Sequence, residues 1–185
     1  MNRACGSRLY LVTHGHAAAG RRIEDVVEAA VRGGVTAVQL RDKNANDEAM
    51  AETAARLIKR LAPAGVPLII NDRVETAFRA GAAGVHLGQG DRSPGEARRI
   101  LGPRSVIGLS VETPSQALAA AGLDIDYLGV SPVFATPTKP DAGPAWGLDG
   151  LRALRALTDL PLVATGGINA ENAAAVLAAG ADGLA

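Results

Sequence analysis

Eight short runs of Val, Ile and Leu recur along the 185 residues, each followed by a polar or glycine-rich stretch and then by a helical pattern. The runs are Leu9–Thr13, Ala37–Leu40, Leu68–Ile70, Val85–Leu87, Val106–Leu109, Tyr127–Val130, Leu162–Ala164 and Asp182–Ala185. They lack strict polar alternation, which is the pattern of parallel strands covered on both faces. Strands alternating with helices leave two main architectures, a closed (βα)8 TIM barrel and an open doubly wound sheet, and eight strands favour the barrel. A barrel normally carries a helix after its eighth strand, whereas this sequence stops at Ala185. The expectation is therefore one barrel domain over residues 1–185, truncated at or just after strand eight, with the terminal helix absent.

Helix boundaries are marked by local chemistry. Ser93-Pro94-Gly95-Glu96 and Thr113-Pro114-Ser115-Gln116 each place a hydroxyl at the N-cap, proline at the first helical position and Glu or Gln at the third. That arrangement satisfies backbone donors that have no partner inside the helix. Asn46 and Asn169 are caps for two more helices, and Gly33-Gly34, Gly81, Gly122 and Gly180 stand where a left-handed residue would close a helix. The repeating helix–Gly–strand unit resembles an internal repeat too degenerate to show in identities. Phe134–Gly147, rich in Pro, Thr, Gly and Asp, is the longest irregular stretch, and a loop of that length in a compact domain is more often functional than idle.

Bulk properties exclude several classes. Lys+Arg and Asp+Glu both number 19, so no overall field draws the chain to nucleic acid or an anionic membrane. Aromatics at 3% provide few stacking platforms for single strands. The first seven residues lack a signal-peptide apolar core, and no apolar run approaches the roughly 20 residues needed to cross a bilayer. The lone Cys5 forms no intramolecular disulfide and fits a reducing compartment, so a cytoplasmic location is expected.

In this fold the active site is assembled at the carboxyl ends of the strands. The polar residues following the runs are Gln39, Arg41 and Lys43 after the second; Asn71, Asp72 and Arg73 after the third; Gln89 and Asp91 after the fourth. Ser110 follows the fifth, Thr136, Thr138 and Lys139 the sixth, and Gly166 and Gly167 the seventh. Arg41 and Lys43, two apart, point the same way in an extended segment and suit a polyanion, with Lys139 a third cation from across the barrel. Solvated surface charge is the ordinary reading of each cation alone; their shared place at the mouth argues for a site. Asp72 and Asp91 end adjacent strands, close enough to share one Mg²⁺, which takes one or two carboxylates alongside substrate phosphate. The competing reading makes each aspartate a helix cap or a general base. Gly166-Gly167 leads to a helix expected near Asn169, an entry suited to phosphate or simply a tight turn. His86, inside the fourth run, reads as a packed or hydrogen-bonded core residue, whereas His14 and His16 lie near the mouth. Trp146 is either a lid residue or a packing anchor. No His/Cys cluster supports zinc, and neither a nucleophile elbow nor a Walker loop occurs.

The motifs VQLRDK (Val38–Lys43), NDR (Asn71–Arg73), GVHLGQGD (Gly84–Asp91), IGLS (Ile107–Ser110), SPVFATPTK (Ser131–Lys139) and ATGGIN (Ala164–Asn169) occur in this order. With them the chain closely resembles the thiamine-phosphate synthase family over essentially its whole length. The resemblance implies a reaction in which hydroxymethylpyrimidine diphosphate and thiazole phosphate give thiamine phosphate and diphosphate. It implies that Gln39, Arg41, Lys43, Asn71 and Lys139 bind the pyrimidine diphosphate, with Ser110 beside the reacting group. Ser110, Lys139 and Arg41 are then the catalytic candidates. Asp72 and Asp91 would ligate Mg²⁺, and Thr136, Thr138 and Gly167 would hold the thiazole phosphate. The chain departs from the family pattern at His14, where aspartate is usual, and at Ser131, where glycine is common. The related thiazole tautomerase group would need a general acid–base pair, and its proton shift has less use for the cations and paired aspartates retained here. A catalytically silent phosphate-binding barrel is the reading from another class, and fold likeness alone does not decide between them.

Overall fold

The computed structural model describes residues 8–14, 20–136 and 143–185. Eight parallel strands form a single sheet in sequential order: β1 (Tyr10–Val12), β2 (Ala37–Leu40), β3 (Leu68–Asn71), β4 (Gly84–Leu87), β5 (Val106–Val111), β6 (Tyr127–Val130), β7 (Leu162–Ala164) and β8 (Gly183–Leu184). A parallel bridge between Leu9 and Leu184 joins the last strand to the first, and the Leu184 N–H donates to the Arg8 carbonyl at 3.0 Å. The sheet thus curls into the expected barrel.

Among the described residues seven α-helices lie between the strands: α1 (Ile23–Arg32), α2 (Asp47–Leu61), α3 (Val74–Ala80), α4 (Pro94–Leu101), α5 (Pro114–Ala120), α6 (Gly147–Leu157) and α7 (Ala173–Ala178). None is long and apolar enough to cross a membrane. Ala185 directly follows β8.

Two apolar layers explain why the runs lack polar alternation. The larger is the shell between barrel and helices, including Val38, Leu40, Ile70, Val85, Leu87 and Leu128 from the strands and Leu57, Ala97 and Leu154 from the helices. The smaller fills the barrel interior with Tyr10, Ala37, Ile69, Tyr127 and Val163. Burial of both faces makes the strands predominantly apolar, with Gln39, His86 and Ser110 as polar positions within them.

Local signals account for most helix ends. Ser93 and Glu96 form a complete capping box on α4, and Asn46 caps α2 by accepting the Ala49 N–H at 2.9 Å. On α5 the box is only half made: Thr113 accepts from Gln116, whose side chain takes the Glu112 N–H instead of returning to Thr113. Two expectations are corrected. Gly122 does not close α5 in a left-handed conformation; the helix runs out through Ala121 in a right-handed turn, so no reversal of handedness is required. Asn169 does not cap α7, because its side chain accepts the N–H groups of Glu171 and Asn172 in a preceding turn, and the helix begins at Ala173.

At the amino ends of the strands one ion-pair device occurs twice. Arg98 of α4 donates to Asp126 at 2.9 Å, and the same Asp126 oxygen accepts the Ile107 N–H of β5 at 2.8 Å. Arg155 of α6 pairs with Asp182 at 3.0 Å, and that carboxylate accepts the Leu162 N–H of β7 at 2.8 Å. Each clip ties a helix to the strand after it and to the residue opening the next strand. This is the physical repeat that the sequence shows only faintly.

Candidate active site

The carboxyl ends of β2, β3 and β4 supply the charged part of the site. Thr13, buried at the end of β1, accepts the Arg41 N–H at 3.0 Å and fixes where β2 gives way to its loop. The loop is then shaped by Asp42, whose carboxylate accepts the N–H groups of Asn44 and Ala45, leaving Lys43 exposed. Arg73 is structural, donating to Asp47 at 3.0 Å and to the Asp42 carbonyl at 3.3 Å, so it binds the loop after β3 to the start of α2.

Asp72 is the only described non-glycine residue with positive φ, at 63°. Strain of this kind persists where surrounding contacts hold it, here the 2.8 Å bond from the Asp72 N–H to the His86 carbonyl. Its half-buried side chain lies within hydrogen-bonding reach of Asp91, and burial together with that second carboxyl pushes Asp72 up to about 6. Lys43 and Arg41 pull in the opposite direction, so both cations lie within electrostatic reach of Asp72. Asp91 is held in a tight turn, accepting the Gly88 N–H at 2.6 Å. Neither aspartate caps a helix: α3 is entered through Arg73 and α4 through Ser93. A half-buried carboxyl raised by a neighbouring carboxylate, with cations acting on it, fits a divalent ion that keeps waters and takes further oxygens from a phosphate. Among the described residues no cluster of three or more His, Cys, Asp or Glu side chains forms, and such an ion does not need one.

In metal-free solution Asp72 gives a testable pH signature. Its carboxyl sits higher in the folded state, at about 6, than its ordinary 3.8, so the fold binds this proton more tightly than the unfolded chain does. The resulting stabilisation is complete below about pH 4 and is lost as the pH rises through 6. In thermal melts with chelator, the Tm of the wild type relative to Asp72→Asn should therefore fall between pH 4 and pH 7. A difference that rises over that range would rule out the raised carboxyl.

The other expected residues divide between rim and interior. Gln39 does not follow β2 but lies within it, facing inward, buried, and donating to the Tyr10 hydroxyl at 3.2 Å. Asn71 ends β3 in register with His86. Ser110 likewise falls inside β5, half-buried, with its Oγ 2.8 Å from His86 Nε2. Its carbonyl accepts from Gln89 at 2.6 Å, which joins the ends of β4 and β5.

His86 fits the expectation of a hydrogen-bonded interior residue. Its Nδ1 lies 2.8 Å from the Tyr127 hydroxyl, and burial pushes the ring down to about 4 against the pull of Asp91. Thr136 is half-buried in the loop after β6, whereas Thr138 and Lys139 lie outside the described residues, as do Cys5 and His16.

Gly166 and Gly167 both adopt positive φ, 93° and 68°. A Cβ on Gly166 would lie 2.8 Å from Pro132 Cβ, and one on Gly167 would lie 2.7 Å from Phe134 Cβ. The pair lets the loops after β6 and β7 run together, with Phe134 N–H donating to the Gly166 carbonyl at 3.0 Å. The expected helix entry at this pair is corrected, since α7 starts six residues beyond Gly167 and is only six residues long.

Residues 9–185 match the thiamine monophosphate synthases. The chain belongs to that family. Its function is thiamine-phosphate synthesis, a transferase reaction. It is 57% identical to the thiamine-phosphate synthase of Albidiferax ferrireducens over 178 residues, covering 96% of this chain and 81% of that one. The corresponding enzyme of Chloroflexus aurantiacus is 51% identical over 178 residues, covering 96% and 82%. Among solved structures, thiamine phosphate pyrophosphorylase from Pyrococcus furiosus superposes with a TM-score of 0.87 at 36% identity, over 97% of this chain and 85% of that one.

Three residues of the family member's interior were not singled out by their sequence: Thr13, Tyr10 and Tyr127. The signal available was faint, namely that a chain with only two tyrosines places each within an apolar run that the barrel turns inward.

Proposed function

We propose that the barrel joins hydroxymethylpyrimidine diphosphate to thiazole phosphate, releasing diphosphate, with Mg²⁺ held by Asp72 and Asp91. The observation that carries this reading is the Asp72 carboxyl, raised by burial and by its neighbour Asp91, with the charges of Lys43 and Arg41 acting on it. A bound Mg²⁺ supplies charge stabilisation for the departing diphosphate. Arg41, Lys43 and Lys139 add fixed positive charge for the same group, and Asn71 and Gln39 orient the pyrimidine. Ser110 stands beside the reacting carbon, while Thr136, Thr138 and Gly167 hold the thiazole phosphate.

The thiazole nitrogen attacks through a lone pair and has no proton to lose, so the reaction needs no general base. His86 suits that requirement, since both of its ring nitrogens are already engaged. A cytoplasmic location belongs to the same proposal, supported by a single cysteine in the whole chain.

The decisive assay supplies both substrates to the purified chain, with and without Mg²⁺, and follows diphosphate and thiamine phosphate together. Equal amounts of both products, formed only with the metal, are expected. Thiamine phosphate made equally well in chelator would remove the metal role, and folded protein that binds phosphate ligands without turnover would point to a silent barrel.

A further inference from the structure

Five side chains make a continuous hydrogen-bonded line through the barrel interior. Gln39 Nε2 lies 3.2 Å from the Tyr10 hydroxyl, which lies 2.9 Å from the Tyr127 hydroxyl. Tyr127 is 2.8 Å from His86 Nδ1, and His86 Nε2 is 2.8 Å from Ser110 Oγ. The line begins on β2, passes through β1, β6 and β4, and ends on β5.

We propose that this line has a single polarity, running Gln39 to Tyr10 to Tyr127 to His86 to Ser110, and that it fixes His86 as the Nε2–H tautomer so that the Ser110 hydroxyl directs its own proton into the mouth. Tyr10, Tyr127 and His86 are thereby positioning residues for Ser110.

The first donor gives the proposed line its starting direction. An amide nitrogen has only protons to give, so the Tyr10 oxygen accepts from Gln39. Tyr10 then hands its one proton to Tyr127, and Tyr127 hands its own to His86 Nδ1. A neutral imidazole that accepts at Nδ1 carries its proton on Nε2, where it meets Ser110. Ser110 has then accepted and keeps a proton to donate. The opposite polarity would have Tyr10 accept from both Gln39 and Tyr127 and would turn the serine proton inward to His86. In the proposed direction each bond polarises the next.

The strands are built around this line. A Cβ at Gly108 of β5 would stand 2.1 Å from Tyr127 Cζ, and one at Gly129 of β6 would stand 2.7 Å from His86 Cε1. Gly108 is in register with both His86 and Tyr127, so a missing side chain on β5 admits the two rings. Those rings stack with centroids 5.4 Å apart at 27°, and the Tyr10 and Tyr127 rings lie 6.0 Å apart. Tyr10 and Tyr127 are the only tyrosines in the chain.

The catalytic consequence rests on the reading of Ser110 as a neighbour of the reacting group, but the tautomer does not. Long-range ¹H–¹⁵N correlation spectra of the full chain, without substrates at pH 7, should show His86 with a pyrrole-like Nε2 and a pyridine-like Nδ1. The signal is identified by its loss in His86→Gln and, independently, as the one that remains in His14→Asn/His16→Asn, the chain having three histidines. Tyr127→Phe should convert the ring to a tautomer mixture. It should also lower kcat roughly tenfold, the value of one lost hydrogen bond, with KM for both substrates nearly unchanged. In a Ser110→Ala background the same change should have no further effect on kcat. An Nδ1–H tautomer in the wild type, or additive losses in the double variant, would overturn the proposal. If the wild type made no thiamine phosphate, the assigned reaction would fail while the spectrum still decided the polarity.

Discussion

Asp91→Asn is expected to leave the barrel folded and to reduce Mg²⁺-dependent turnover by about 10²-fold or more. Asparagine keeps an oxygen that can accept the Gly88 N–H, now at 2.6 Å from the carboxylate, so the turn before α4 survives the change. The lost quantity is the negative charge shared with Asp72. A metal ion stabilises transition-state charge by several kcal/mol, and each 1.36 kcal/mol is tenfold in rate, so weakening its hold removes about two powers of ten. The comparison is made on kcat/KM as a function of Mg²⁺ concentration, with circular dichroism reporting the fold. Turnover equal to the wild type would deny Asp91 any part in holding the metal.

Arg98→Ala should instead destabilise the protein by about 3–5 kcal/mol, the usual result of removing one member of a buried ion pair. The Arg98 side chain is 10% exposed and that of Asp126 6%, so water cannot take over the solvation of the carboxylate left behind. The Ile107 N–H, at 2.8 Å, stays in place but carries no charge to replace the guanidinium. Urea titration of the two proteins measures the loss, and adding Asp126→Asn should recover part of it. Arg155→Ala should cost much less, since its pair with Asp182 is 28% and 55% exposed and solvent already screens it. If both arginines proved equally dispensable, burial would not be what strengthens the Arg98 clip.

The strands were legible because a barrel covers both faces of each one, leaving apolar runs with no alternation. Ser93 and Thr113 announced helices through caps that operate within four residues. Asn169 misled because a short side-chain acceptor serves a turn as readily as a helix, and only the geometry beyond it decides. Gly122 misled because a glycine after a helix permits a left-handed residue without requiring one.

In the site, the rim was easier to read than the interior. Arg41, Lys43, Asp72 and Asp91 follow apolar runs and stand out by charge. Tyr10 and Tyr127 pass for core residues because each lies within an apolar run, and their bond joins positions 117 residues apart. Finding that bond requires the register of a closed barrel, which no stretch of sequence carries. The same gap hid the placement of Gln39 and Ser110, whose strand assignments were within reach but whose inward orientation was not.

The interior tyrosines also make the enzyme its own optical probe. Besides those two rings the chain holds one other strong near-ultraviolet chromophore, Trp146, at the entry to α6 where the loop from β6 ends. Near-ultraviolet circular dichroism and intrinsic fluorescence therefore arise almost wholly from the barrel lumen and that loop. A ligand settling at the mouth can be followed through its effect on three native side chains, with no dye attached and little background from the rest of the molecule.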